Sequence, residues 1–223
     1  MQLILDQQAY PHVLGKVVCV GRNYAAHAKE LNNPIPDSPI LFIKPASSVV
    51  PFGPDFSIPK DQGRVHHELE IAILIGKALS HASTEHVAES IAGFGLGLDL
   101  TLRDVQDRLK EKGHPWERAK SFDGACPLTR FVSLSSSCKI DQPPFGLTLK
   151  KNGQLQQQGS SADMLFPILP LIAHISAHFN LQPGDVILTG TPAGVGPLEA
   201  GDSLSVILSQ KQSVLLTQQS VVL

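Results

Sequence analysis

The chain has 223 residues, of which 42% are apolar and 17% charged, and its formal net charge is −2. That length is enough to bury a core, and the balance excludes a disordered polymer. No basic block or stripe is present to neutralise phosphates, which excludes a nucleic-acid binder, and no run approaches the ~18 consecutive apolar residues of a membrane span.

Met1–Tyr10 carries Asp6 and lacks a basic segment followed by an apolar run, so it does not read as a secretory signal. Cys19, Cys126 and Cys138 are scattered, with neither a disulfide framework nor zinc-site spacing. A reducing, cytoplasmic setting and small-molecule partners follow as expectations.

In chain order, short runs rich in Val, Ile and Leu predict strands over Lys16–Val20, Ile40–Ile43, Leu69–Ile75, Phe94–Leu100, Leu147–Lys150, Val186–Thr189 and Leu204–Leu208. Three helices are predicted between them. The first spans Tyr24–Leu31, with Asn23 as N-cap and Pro34 beyond its end; the second spans Thr101–Lys112 and stops at Gly113. The third covers Pro167–His178, where Ile168, Leu171, Ile172 and Ile175 recur at helical spacing. Asn152-Gly153 signals a type I′ hairpin leading into the polar run Gln154–Gln158. Gly184-Asp185 and Gly201-Asp202 read as turns into strands. More strands than helices predict an α+β, β-dominated fold with short helices.

The most informative segment is His66-His67-Glu68-Leu69-Glu70-Ile71. In a strand, Glu68 and Glu70 project to one face with Cα atoms roughly 7 Å apart, while Leu69 and Ile71 pack on the other. Two like charges there repel unless a cation lies between them. Asp99 ends an apolar run, where a lone carboxylate is costly to bury. Three carboxylates suit a hard cation, Mg²⁺ or Mn²⁺, whose remaining octahedral positions can take a chelating substrate and a water. Spacing alone also fits solvated edge-strand charges and a helix cap. A zincin motif is not formed, since Ile71 stands where a second His would be needed.

His27 and Glu30 stand three apart on the first helix, so the carboxylate can orient an imidazole able to deprotonate water. Arg103 and Gln106 share a face of the second helix and can reach one carboxylate ligand. Lys120 can stabilise an enolate oxygen, and the Gly-rich run Leu188–Gly196 can approach an anion without being a phosphate loop. Each of these also fits ordinary surface or turn chemistry.

In order along the chain, GRNYAAHAKE (21–30), LFIKP (41–45), HHELE (66–70), GLDLTLRDVQ (97–106), WERAKSFDG (116–124) and GDVILTGTPAGVG (184–196) resemble the fumarylacetoacetate hydrolase family, most closely its small acylpyruvase and oxaloacetate decarboxylase branch. The resemblance runs from Lys16 to about Leu208. It implies one catalytic domain over 1–223, with 1–15 as an N-terminal extension and 209–223 as a C-terminal tail. It also implies a mixed β-roll, usually assembled as a homodimer, with Mg²⁺ or Mn²⁺ as cofactor.

By that resemblance Glu68, Glu70 and Asp99 are metal ligands, and His27 and Glu30 form a water-activating dyad on a segment that closes over the site. Lys120 lies beside the substrate oxyanion. Arg103, Gln106 and Thr191 surround a bound keto acid, and Arg22 is counted among the substrate contacts. The expected activity is metal-dependent C–C cleavage of a small 2-oxo acid, as acylpyruvate hydrolase or oxaloacetate decarboxylase. Isomerisation or tautomerisation of such an acid is the alternative, and a non-catalytic scaffold is a third.

Overall fold

A computed structural model describes residues 1–134, 140, 143–211 and 213–223. The chain opens with a hairpin, β1 (Ile4–Leu5) and β2 (Gln8–Ala9), followed by β3 (Val17–Gly21), helix α1 (Ala25–Glu30), β4 (Ile40–Lys44), β5 (Val49–Pro51) and β6 (Asp55–Phe56). Next come β7 (Val65–His67), β8 (Leu69–Ile75), α2 (Thr84–Ala88), β9 (Ile91–Leu98) and β10 (Thr101–Leu102). Helices α3 (Arg103–Glu111) and α4 (Glu117–Lys120) lead to β11 (Cys126–Leu128). The second half holds β12 (Phe145–Lys151), β13 (Gln154–Ser160), α5 (Ile168–His178), β14 (Val186–Leu188), β15 (Gly196–Pro197), β16 (Ser203–Gln210) and β17 (Ser213–Val222). Strands outnumber helices among the described residues, as the β-dominated class requires. No helix among them is long and apolar enough to cross a membrane.

Two mixed sheets carry the architecture. The seven-stranded sheet has the order β4-β3-β14-β8-β9-β11-β5, and the five-stranded sheet β13-β12-β16-β17-β6. The three-stranded β10-β7-β15 lies at the start of β8. Strand β8 is buried along its whole length, which explains its near-continuous apolar run. Its Leu69, Ile71 and Ile73 join the main core with Leu147, Leu149 and Val206 of the facing sheet, and Phe94 stacks on Phe145 at 4.7 Å between centroids. Its Ala72 and Leu74 turn to a second core with Leu3, Tyr10 and Leu14.

Several expectations need correction. Residues 213–222, expected as part of a tail, form β17, which pairs antiparallel with β16 and parallel with β6 inside the sheet. Residues 1–15, expected as an extension, contribute buried Leu3, Tyr10 and Leu14 to the second core. Asn23 is not the cap of α1: Tyr24 is, and it makes no side-chain cap bond. The Asn23 amide instead donates to the carbonyls of Thr189 (2.7 Å) and Phe166 (3.1 Å) and accepts from the Phe166 N–H (2.7 Å), so long-range partners outcompete the helix end. Thr101 and Leu102 form β10 rather than the first turn of α3. Asn152 and Gly153 both have positive φ, as the predicted hairpin demands. Cys19 and Cys126 are buried free thiols, and Cys138 lies outside the described residues.

Candidate metal centre and substrate pocket

The antiparallel pairing of β8 with β9 builds the acidic cluster. Glu70 stands opposite Gly97, and the Asp99 N–H donates to the Glu68 carbonyl at 2.9 Å where the two strands end. Glu68 and Asp99, 31 positions apart, therefore meet through the strand register. Glu68, Glu70 and Asp99 are all buried, and one carboxylate oxygen from each lies within 4.8 Å of the others.

Cations surround this cluster. Lys120 Nζ donates to Glu68 Oε2 at 2.8 Å and to Asp99 Oδ2 at 2.6 Å, and Arg103 Nη2 donates to Glu68 Oε1. Lys44 lies 2.9 Å from Asp99 Oδ1, and it donates to the carbonyls of Ala125 (3.1 Å), Leu100 (3.3 Å) and Lys120. Glu70 Oε2 accepts the Gly190 N–H at 2.6 Å. Gly190 has φ +97°, and a Cβ there would come within 2.6 Å of Asn23 Cβ, so the close approach demands glycine.

Electrostatics separate the three acids. Burial pushes the Glu70 carboxyl well above the usual range, and Asp99 and Glu68 add to that push. Burial also acts to raise Glu68, but Lys120, Arg103 and His27 together hold it well below the ordinary value. For Lys120 burial opposes the charge, yet Asp99 and Glu68 keep its pKa above normal.

The donor set fits a hard dication. It is all oxygen, its members are close enough to share one ion, and their mutual repulsion is what such an ion relieves. Asp99 Oδ1 adds to the fit: it is buried without a hydrogen bond, since the nearby Lys44 ammonium does not approach in hydrogen-bond geometry.

His27 is buried over this cluster. Its Nδ1 lies 3.2 Å from Glu30 Oε2, while Glu30 Oε1 accepts the Gly194 N–H at 2.9 Å, tying α1 to the loop after β14. Of the ten residues nominated from the sequence, nine line one pocket; Glu30 stands behind His27. Thr191 and Gln106 are engaged as well. Thr191 Oγ1 donates to the Leu69 carbonyl (2.9 Å) and accepts from Gln157 Nε2 (2.8 Å), and Gln106 Oε1 accepts from Arg103 Nη1 (2.6 Å).

Sequence reasoning gave no role to Lys44, although a lysine inside the apolar run Ile40–Lys44 was a visible signal. It also passed over Lys110 and Trp116, which line the outer part of the same pocket.

A β-rich fold enclosing a carboxylate triad, a His–Glu pair and a buried lysine defines a small-molecule site of the kind that hard cations occupy. The chain belongs to the fumarylacetoacetate hydrolase family: the family's domain, fumarylacetoacetate (FAA) hydrolase C-terminal, matches residues 16–220. An oxaloacetate tautomerase of Escherichia coli (strain K12) is 51% identical over 197 residues, 88% of this chain and 89% of that protein. A crystal structure from Oleispira antarctica is 79% identical, with a TM-score of 0.98 and full coverage of both chains. The fumarylpyruvate hydrolase of Pseudomonas aeruginosa, crystallised with Mn²⁺ and pyruvate, is 31% identical, with a TM-score of 0.89 over 100% of this chain and 95% of that one.

Proposed function

We propose that the protein catalyses keto–enol tautomerisation of a small 2-oxo diacid such as oxaloacetate, with a divalent cation held by Glu68, Glu70 and Asp99. The observation that carries this reading is a single pocket in which His27, backed by Glu30, shares its lining with the three clustered carboxylates. The tautomerase name of the Escherichia coli relative supports it and ranks proton transfer ahead of the C–C cleavage expected first from the sequence.

Bound there, the cation would draw electrons from the 2-oxo group and acidify the hydrogens on C3. His27 handles the proton. With Nδ1 turned to Glu30, its Nε2 lone pair takes a proton from C3 and passes it to the C2 oxygen, and the reverse transfer restores the ketone. Lys120 offers positive charge to the C2 oxygen as enolate character develops. Arg103 pairs with the carboxylate on C1, and Gln106 steadies its guanidinium. The proton lost from C3 is balanced by one gained at the C2 oxygen, so no atom leaves.

Hydrolysis of an acylpyruvate is the second reading, favoured by the same dyad and by the likeness to a fumarylpyruvate hydrolase. In that reaction His27 takes a proton from water as the water oxygen adds to the distal carbonyl. The C–C bond breaks, its electron pair passes to the pyruvate enolate, and protonation at C3 completes the exchange. Decarboxylation of oxaloacetate would release carbon dioxide without a base.

The test is Mg²⁺-loaded protein incubated with oxaloacetate, following enol absorbance and products, with acetylpyruvate in parallel. Metal-dependent enol–keto conversion without pyruvate release is the expected outcome. If neither tautomerisation nor cleavage exceeds the metal-only control, the reading fails.

A further inference from the structure

The inner and outer parts of the pocket differ in how their cations are satisfied. Lys120 and Arg103, both buried, are paired with Glu68, and Lys120 also with Asp99. Arg22 and Lys110 line the same pocket but are only half-buried. Among the described residues neither side chain makes a hydrogen bond or ion pair.

The Lys110 charge is oriented all the same. The Lys110 ammonium lies 5.7 Å from the centroid of the Trp116 ring, an arrangement that orients the charge without consuming its N–H donors. Trp116 meets Phe42 edge-on at 5.9 Å, and the Lys120 ammonium lies 5.2 Å from the Phe42 ring. Two aromatic rings thus form a wall with one ammonium at its inner end and another at its outer end. Arg22 has φ +60°, a left-handed backbone that a non-glycine residue rarely adopts and that the surrounding fold must enforce.

The outer cations also crowd one another. Burial lowers the Lys110 pKa to about 8, and Arg103 and Arg22 push it in the same direction. Asp107 and Glu68 oppose that push without forming an ion pair with Lys110. Cations that line one half-buried pocket, with side-chain donors unspent, suit an anion lying between them.

We infer that Lys110 and Arg22 form a second anion subsite, at the outer end of the pocket, that takes the distal carboxylate of a 2-oxo diacid. This rests on the reading of the inner pocket as a 2-oxo acid site and narrows its substrates to diacids over neutral acyl compounds. A neutral distal group would leave both cations uncompensated.

The test compares three ligands by calorimetry on the full-length protein with saturating Mg²⁺. Oxaloacetate carries both carboxylates, 2-oxobutyrate replaces the distal one with a methyl group, and oxalate reaches the inner site alone. The wild type should bind oxaloacetate at least about tenfold more tightly than 2-oxobutyrate, the scale of one lost charge-assisted contact. Lys110→Met and Arg22→Met should each shrink that ratio severalfold while leaving oxalate affinity within about twofold, and Lys110→Arg should retain most of it. A wild-type ratio near one, or variants that weaken all three ligands equally, would overturn the subsite. Discrimination that persists in a protein showing neither tautomerisation nor cleavage would uphold the subsite and remove the proposed activity instead.

Discussion

The Lys44 ammonium lies 2.9 Å from Asp99 Oδ1 with both side chains wholly inside the protein. A buried lysine survives only if its charge and donors are matched, and here an acid and three carbonyls share the work. The carbonyls come from α4 and the loops around it, so one cation fastens the strand end bearing Asp99 to the segment bearing Lys120. Lys44 is a positioning residue for the acidic centre.

Lys44→Met should therefore cost about 3–5 kcal/mol of stability, the scale for breaking one side of a buried pair. Urea unfolding of the protein and the variant measures it. A loss below about 1 kcal/mol would mean that water or a neighbour satisfies Asp99 instead.

Glu70→Gln separates a ligand role from a structural one. The amide keeps an acceptor for the Gly190 N–H and removes a charge that burial and two neighbouring acids disfavour. Metal-free stability should hold or rise, while Mn²⁺ affinity should fall by more than the roughly 10–100-fold typical of an outer partner. Paramagnetic resonance of free Mn²⁺ reads the affinity, and thermal melting reads the stability. Unchanged affinity would remove Glu70 from the ligand set.

His27→Ala distinguishes the reactions. Enol–keto conversion and acylpyruvate hydrolysis both need a base and should slow by about 10²–10⁴-fold. Any oxaloacetate decarboxylation should fall much less, since carbon dioxide leaves without one. Equal losses in all three rates would show that His27 acts on binding or closure and not on the proton.

Away from the pocket, Arg64 holds Asp104 through Nη2 at 2.7 Å and Nε at 3.1 Å, and its backbone N–H donates to the second oxygen at 2.9 Å. These bonds lower the Asp104 carboxyl from 3.8 to about 2. A depressed folded-state pKa gives stability that is fully present above the unfolded value and is lost as pH falls through the folded one. The destabilisation caused by Asp104→Asn should thus be constant above about pH 5 and shrink between pH 3.8 and 2. Urea midpoints across that range measure it, and a gap that widens on acidification would contradict the pairing.

The acids of the centre were legible because Glu70 interrupts an apolar strand, Glu68 stands two residues before it, and Asp99 follows another such strand. Those patterns are local. Lys44 stood out as a charge in an apolar run, but its role was opaque because its partners arrive from segments 55 to 81 residues away, which no spacing rule reaches. β17 escaped for a different reason: Gln218, Gln219 and Ser220 give it a polar stretch, and only pairing with β16 and β6 makes that stretch a strand. Asn23 reads as a helix cap but is recruited elsewhere, since bonds to Thr189 and Phe166 satisfy its amide more fully than a cap would. Local chemistry revealed the ligand types, and tertiary pairing decided what holds them.

The central claim is that Glu68, Glu70 and Asp99 together hold one hard dication, and the anomalous scattering map of a crystal grown in saturating Mn²⁺ tests it most directly. A single strong peak coordinated by an oxygen from each of the three carboxylates is the result expected. A peak bound elsewhere, or none while all three side chains are ordered, would contradict it.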